Sequence, residues 1–255
     1  MKRILSLLIP MMALFIRTSV CEESVNNFVF SGYDEHNKKK WEVAGSSAEV
    51  KGGRIILDKV RAKIYEDSGL INIRAQKGIV EQDKSKIYLR DNVVIRDSHG
   101  GFLYTDFLNW DQKNQRIWTD DYVKLVKDNN QIQGKGGELD TDLKQAVIKK
   151  DVKLEAVPQT IITSSGSLEV DYNKNIAVFK DNVHVVDRRG EIYCDKLTIY
   201  FDHERKKIIR AHAQGNVKLR RGNSWSFSSE AIYDVKEGKV LLLGRPKLEV
   251  YPEGK

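Results

Sequence analysis

Ile176-Ala-Val-Phe179-Lys-Asp181-Asn182-Val183-His-Val185 is an apolar alternation interrupted by an Asp-Asn step. Apolar residues on every second position mark a half-buried strand, and an Asx pair inside it suits a bulge, where a residue with positive φ bends the chain. The same pattern recurs along the sequence around an anchor at Val60, Val93, Val123, Val152, Val183, Val217 and Pro246, at intervals of 33, 30, 29, 31, 34 and 29 residues. Four positions before the anchors stand Ile56, Leu89, Thr119, Ile148, Phe179, Ala213 and Leu242, and two positions after them Ala62, Ile95, Leu125, Leu154, Val185, Leu219 and Leu248. These positions share one parity, so each strand presents one apolar and one charged face.

A second marker follows the next strand of each repeat, at Asp111, Asp140, Asp171, Asp202 and Asp234. An aspartate that opens a hairpin turn accounts for them. Calcium-binding repeats would need dense Gly-Asp pairs at a far shorter period. Trp110, Tyr200 and Tyr233, just before turn aspartates, are expected to fill the core or cap its edge. Each repeat of about 30 residues supplies two strands, and stacked repeats bury an apolar lane that no single one buries alone. A parallel β-helix and a twisted antiparallel roll both satisfy this, and the short Asx-led turns favour the antiparallel roll.

The chain has 255 residues, enough for one large domain or two ordinary ones, and a hydrophobic content of 40% that a disordered chain would not reach. Met1-Lys-Arg3 followed by an apolar run from Ile4 to Ile16 reads as an export signal over residues 1–21, with a retained N-terminal anchor as the alternative. Lipidation at Cys21 is the weakest reading, because Thr18-Ser-Val20 lacks the usual preceding pattern. Removing residues 1–21 lowers the net charge from +7 to +4, a mild excess that argues against nucleic acid as a partner. Pro158 interrupts the alternation, which places a boundary between modules 22–157 and 158–255.

Catalytic, metal and cofactor signals are absent. The five histidines have no second ligand at metal spacing, and no HExxH or GxSxG motif occurs. Gly134-Lys-Gly-Gly137 lacks a strand–helix setting and reads as a loop, and Cys194 reads as a small buried hydrophobe. An aromatic ladder or paired acids, which would mark a polysaccharide-binding β-helix, do not stand out at regular spacing.

Two stretches resemble known families. Ile176 to Val185, Ile192-Tyr-Cys-Asp-Lys-Leu-Thr-Ile199, Gln214-Gly-Asn-Val217, Ser229-Glu-Ala-Ile-Tyr-Asp234 and Val240-Leu-Leu-Leu-Gly-Arg-Pro246 are similar to the OstA-like repeat of the LptA family. Phe30-Ser-Gly-Tyr-Asp34, Lys40-Trp-Glu-Val-Ala44, Ile55-Ile-Leu-Asp-Lys-Val60, Leu103 to Asp111 and Gly134 to Asp140 resemble the LptC family. The LptC family usually keeps a membrane helix, whereas this leader looks cleavable.

The resemblance implies an all-β, elongated, twisted β-jellyroll in two tandem modules, LptC-like then LptA-like. It implies a non-enzymatic periplasmic bridge that carries lipopolysaccharide toward the outer membrane, its lipid A acyl chains in an apolar groove. On the repeat pattern that groove comprises Ile95, Val123, Leu125, Leu154, Phe179, Val183, Val185, Ile192, Leu197, Ile199, Val217 and Leu219. Small lane residues (Ala62, Thr119, Ala177, Ala211 and Ala213) leave room in it. Edge cations Arg188, Arg189, Arg220 and Arg221 are the expected headgroup contacts. Expected partners are the inner-membrane ABC transporter complex, the outer-membrane translocon and like OstA domains, joined head to tail through strands at Phe28-Val-Phe30 and Lys247 to Tyr251. A structural envelope scaffold of polymerising repeats that carries no lipid is the competing reading.

Overall fold

A computed structural model of the chain describes residues 23–66, 69–140, 142–156, 159–202 and 207–250. The leader, Pro158, His203 and Tyr251 lie outside the described residues. The described chain holds 17 β-strands and one short 3-10 turn at Gln82–Lys84, with no α-helix. No helix among the described residues is long and apolar enough to cross a membrane.

The chain forms two compact units that divide between Asp128 and Asn129. The first holds β1 (Glu23–Tyr33), β2 (Lys39–Lys51), β3 (Arg54–Glu66), β4 (Gly69–Glu81), β5 (Lys86–Arg96), β6 (Phe102–Asp111) and β7 (Arg116–Lys127). Each pairs antiparallel with the next. The second holds β8 (Asn130–Asp140), β9 (Gln145–Ala156), β10 (Thr160–Ser164), β11 (Leu168–Asp171), β12 (Ile176–Asp187), β13 (Gly190–Asp202), β14 (Lys207–Arg221), β15 (Ser224–Asp234), β16 (Lys239–Leu243) and β17 (Lys247–Glu249). Here β10 and β11 are two halves of one broken strand between β9 and β12, and β16 and β17 both lie on β15. The all-antiparallel pairing selects the jellyroll over the β-helix.

The Asx and Gly steps act as the pattern requires. Asp91 and Asn92 have φ of 61° and 55°, Asp181 and Asn182 63° and 49°, and Gly215 and Asn216 76° and 47°. At each the ladder skips two residues, from Arg90 to Val93, Lys180 to Val183 and Gln214 to Val217. Asx and Gly tolerate this left-handed geometry at least cost. Side chains tie the bulges across strands: Asn216 Nδ2 donates to Asp195 Oδ2 (2.8 Å) and Asn182 Nδ2 to Ser165 Oγ (3.0 Å).

The anchors form the core. Val60 and Val123 are 4% exposed, and Val93, Val152, Val183 and Val217 only 1%. Burying a valine of this kind contributes about 1.5 kcal/mol or more. Two details depart from the repeat arithmetic. In β3 the bulge is a single residue, Lys59 (φ 51°), so Leu57 rather than Ile56 takes the buried place. Pro246 is exposed in the break between β16 and β17, where no ladder hydrogen bond requires its missing N–H.

Gly134-Lys-Gly-Gly137 is not a loop but the middle of β8. A Cβ on Gly134 would stand 2.5 Å from Ile148 Cγ2 and 2.9 Å from the Lys150 carbonyl oxygen, so glycine is needed for β9 to approach. Four of the repeated aspartates open their turns, and the turn after Asp202 lies outside the described residues. Asp111 Oδ1 accepts from the Asn114 N–H (3.0 Å), Asp140 Oδ1 from Leu143 (2.8 Å), Asp171 Oδ1 from Asn173 and Lys174 (3.0 Å each) and Asp234 Oδ1 from Glu237 (3.0 Å). The opposite hairpin ends use the same device at Asp34, Asp97 and Asp187.

Candidate functional site

The pairing register turns the apolar face of each unit into continuous cross-strand rows. In the first unit Phe30, Val43, Ala62, Ile73, Ile95, Leu103 and Leu125 are successive partners from β1 to β7. All are half-buried except Leu125, which is 37% exposed. Val123, two residues earlier on the same strand, is buried.

In the second unit the corresponding row is Leu154, Ile162, Val185, Ile192, Leu219, Ser226 and Leu248. Leu154, Val185, Ile192 and Leu219 are half-buried, and Leu248 is 66% exposed. Beyond the bulges a second row runs Ile148, Leu168, Phe179, Leu197, Ala213, Ala231 and Leu242, and a third includes Ala177, Ile199, Ala211 and Tyr233. Phe179, Val183, Leu197, Ile199 and Val217 are buried against one another's strands, as a floor. Side chains shrink to Ala and Ser along β14 and β15, where exposure rises. Of the small lane residues, Ala213 and Thr119 are buried, Thr119 Oγ1 lying 3.3 Å from Thr105 Oγ1.

One contact defines how the second unit closes. Arg189 belongs to the β12–β13 turn, whereas Tyr233 lies at the opposite end of the strands, on the apolar face beside Ala211 and Val240. In a flat sheet about ten residues, roughly 30 Å, would separate those ends. Instead the Arg189 guanidinium lies 4.5 Å from the Tyr233 ring centroid and donates to its hydroxyl. The strands therefore fold back at the bulge line and the apolar faces of the two arms meet. Asp187 holds Arg189 through Nε (3.0 Å) and the backbone N–H (2.7 Å). Burial raises the Asp187 pKa, and the hydrogen bonds from Arg189 outweigh it, leaving the carboxyl below its usual range.

The other cations differ. Arg220 faces away from the lane, 5.7 Å from the Trp225 ring and 3.3 Å from Glu191 Oε1, while Arg188 is an exposed turn residue and Arg221 the exposed last residue of β14. Glu191 Oε2 accepts from Tyr193 Oη (2.6 Å) and lies 3.0 Å from His184 Nε2, contacts that lower its pKa. Tyr200 also faces outward, with Arg210 4.3 Å over its ring. Cys194 is buried and unpaired in the lane opposite Val183, and burial pushes its thiol up to about 12.

Apart from β13, repeat arithmetic found one strand in two. Phe30, Val43, Ile73, Leu103 and Ile162 escaped it because they lie on the strands between anchors; counting outward from each hairpin turn would have paired Ile95 with Leu103. An outward aromatic series, His184, Tyr193, Trp225 and Phe227, has no sequence period and exists only through the register. No group of three or more His, Cys, Asp or Glu among the described residues is placed to hold a metal.

No curated protein matches the chain. Two family models do, in tandem. The model described as LptA/(LptD N-terminal domain) LPS transport protein matches residues 162–255. The model described as lipopolysaccharide-assembly, LptC-related, matches residues 16–157, more than half of the sequence. The chain therefore belongs to the LptC-related family of lipopolysaccharide assembly and carries an LptA/LptD-type lipopolysaccharide-transport domain behind it.

Proposed function

We propose that this chain is a periplasmic carrier that shields lipopolysaccharide acyl chains along its apolar lane on the way from the inner to the outer membrane. The observation that carries the reading is the half-buried row in each unit, from Phe30 to Leu125 and from Leu154 to Leu248. Such a row offers non-aqueous surface that the protein's own side chains leave partly uncovered, and each sequestered CH₂ is worth about 0.8 kcal/mol. In this reading Ile95, Leu125, Leu154, Val185, Ile192 and Leu219 are the walls, and Val123, Phe179, Val183, Leu197, Ile199 and Val217 the floor. Arg188, Arg189 and Arg221 meet the phosphorylated head, and Arg220, turned away from the lane toward Trp225 and Glu191, does not take part. No residue does chemistry, and the driving force comes from the ATP-driven transporter that loads the lane.

The modules 22–157 and 158–255 act in series, behind an export leader at residues 1–21. The edges at β1 and β17 are the joints to partner domains, by strand addition. The competing scaffold reading draws on the tight floor, since Phe179, Val183 and Val217 leave the centre filled.

Site-specific photo-crosslinking separates the two. A photoreactive residue at Ile192 or Leu125 is expected to give lipopolysaccharide adducts, and one at the outward, exposed Lys196 none. No adduct at any position, in folded protein with the transport machinery present, overturns the carrier in favour of the scaffold.

A further inference from the structure

The outer face of the second unit carries a feature that the lane does not use. Beyond the bulges two adjacent cross-strand rows face away from Val183 and Val217. One runs His184, Tyr193, Lys218, Phe227 and Lys247, the other Val186, Glu191, Arg220, Trp225 and Glu249. Their rings stand nearly parallel. His184 and Tyr193 are 4.1 Å apart at 9°, Tyr193 and Trp225 6.2 Å at 27°, and Trp225 and Phe227 6.3 Å at 17°. Against this series lies an open depression of about 530 Å³, lined by Lys218, Arg220, Asn223, Trp225, Phe227 and Glu249. That volume falls within the range of small-ligand sites.

We propose that this depression is a binding site for an anionic oligosaccharide, one bearing phosphate or carboxylate groups. Two aromatic faces beside four hydrogen-bonding side chains suit a sugar ring, whose C–H face packs on an aromatic ring while its hydroxyls take donors and acceptors at the rim. An acyl chain would gain nothing from Lys218, Arg220 or Glu249, and desolvating them would cost it affinity. The preference for an anion follows from the local charge. Glu249 is paired with Lys247 (2.7 Å) and Glu191 with Arg220 (3.3 Å), which leaves Lys218 in excess. Arg220, stacked over Trp225 and fixed by Glu191, is already ordered and loses little freedom on meeting an acidic group. The site lies on the opposite face from the lane, so it does not depend on the carrier reading.

The test is titration of the full chain, by calorimetry and tryptophan fluorescence, with three lipid-free probes. These are the phosphorylated core oligosaccharide released from lipopolysaccharide, a carboxylate-bearing peptidoglycan glycan fragment, and neutral maltohexaose. Binding of either acidic probe, with maltohexaose weaker by roughly tenfold or more, supports the site, and the tighter of the two names its source. Trp225→Ala should abolish that binding. Lys218→Glu, an exposed change that leaves the fold and the adduct at Ile192 intact, should weaken it by roughly tenfold or more. Binding of none of the probes, equal binding of maltohexaose, or undiminished binding by Lys218→Glu overturns the proposal.

Discussion

Asn182 shows how much of this fold rests on single residues. Its φ of 49°, beside Asp181 at 63°, lets the strand skip two places and keep both Phe179 and Val183 on the buried side. A β-branched residue cannot adopt that φ without strain, and a left-handed L-residue costs about 1–2 kcal/mol. Asn182→Val is therefore expected to lower stability by about 1–2 kcal/mol, and Asn182→Gly by no more than a few tenths, as read from denaturant midpoints at constant m-value. Equal losses would show that the side chain's bond to Ser165, not the backbone, is what matters there. Cys194 makes a second residue-level case. A thiol pushed up to about 12 by burial stays protonated and shielded at neutral pH. In the native protein a thiol-reactive disulfide reagent should leave Cys194 unmodified, and denaturant should release it; prompt native labelling would mean that the lane opens around it.

At the scale of the elements, the hairpin turns at Asp34, Asp97, Asp111, Asp140, Asp171, Asp187 and Asp234 depend on a carboxylate accepting backbone N–H groups. Hydrogen bonds from Lys38 to Asp34 and from Lys174 to Asp171 hold both carboxyls below 3.8. At Asp97 and Asp111 burial pushes the other way, and the N–H and amide donors of Gly101 and Asn114 outweigh it. A folded-state pKa below the unfolded one contributes stability that is complete above the unfolded value and is lost as pH falls through the folded value. The melting temperature should therefore be nearly level at neutral pH and fall steeply below 3.8, the ordinary value for these groups. Asp111→Asn removes one of these titrating groups and should shallow the fall. A flat profile down to about pH 2.5 would remove the turns from the account.

These turns were legible because an Asx turn is local chemistry, complete within four residues. So were the Asx bulges and the valine anchors, whose recurrence declared an all-β stack of two-strand repeats. Partners across the sheet were not, because register is set by turn length and bulge size together. Lys59, a one-residue bulge without an Asx or Gly, moved the buried place from Ile56 to Leu57. The ladder from His184 to Phe227 and the closure of Arg189 on Tyr233 join residues with no periodic relation, so only the folded strands reveal them.

For the whole molecule the deciding question is whether the lane is a core or a conduit, and exposure along it separates the two roles. Val217 is 1% exposed and an aspartate there would bury a charge without a partner, at a cost of several kcal/mol. Ile192 is half-buried on the same face of the neighbouring strand, where a carboxylate can still reach water. Lys196, on the outer face, changes only the sign of an exposed charge. Val217→Asp is therefore expected to fail first as a fold, with a lowered melting temperature and lost crosslinking together. Ile192→Asp should keep a cooperative melt yet lose most captured lipopolysaccharide, because a desolvated carboxylate offsets the roughly 0.8 kcal/mol gained per buried methylene. Lys196→Asp should change neither. The measurement is lipopolysaccharide recovered with each purified variant, set against its melting curve. If the three variants lose lipid equally while folding stays intact, the half-buried row is not where the acyl chains travel. Loss with an unchanged melt at Ile192→Asp, set against loss only with a lowered melt at Val217→Asp, would assign the row to the ligand, and the 1% exposed residues beneath it to the fold alone.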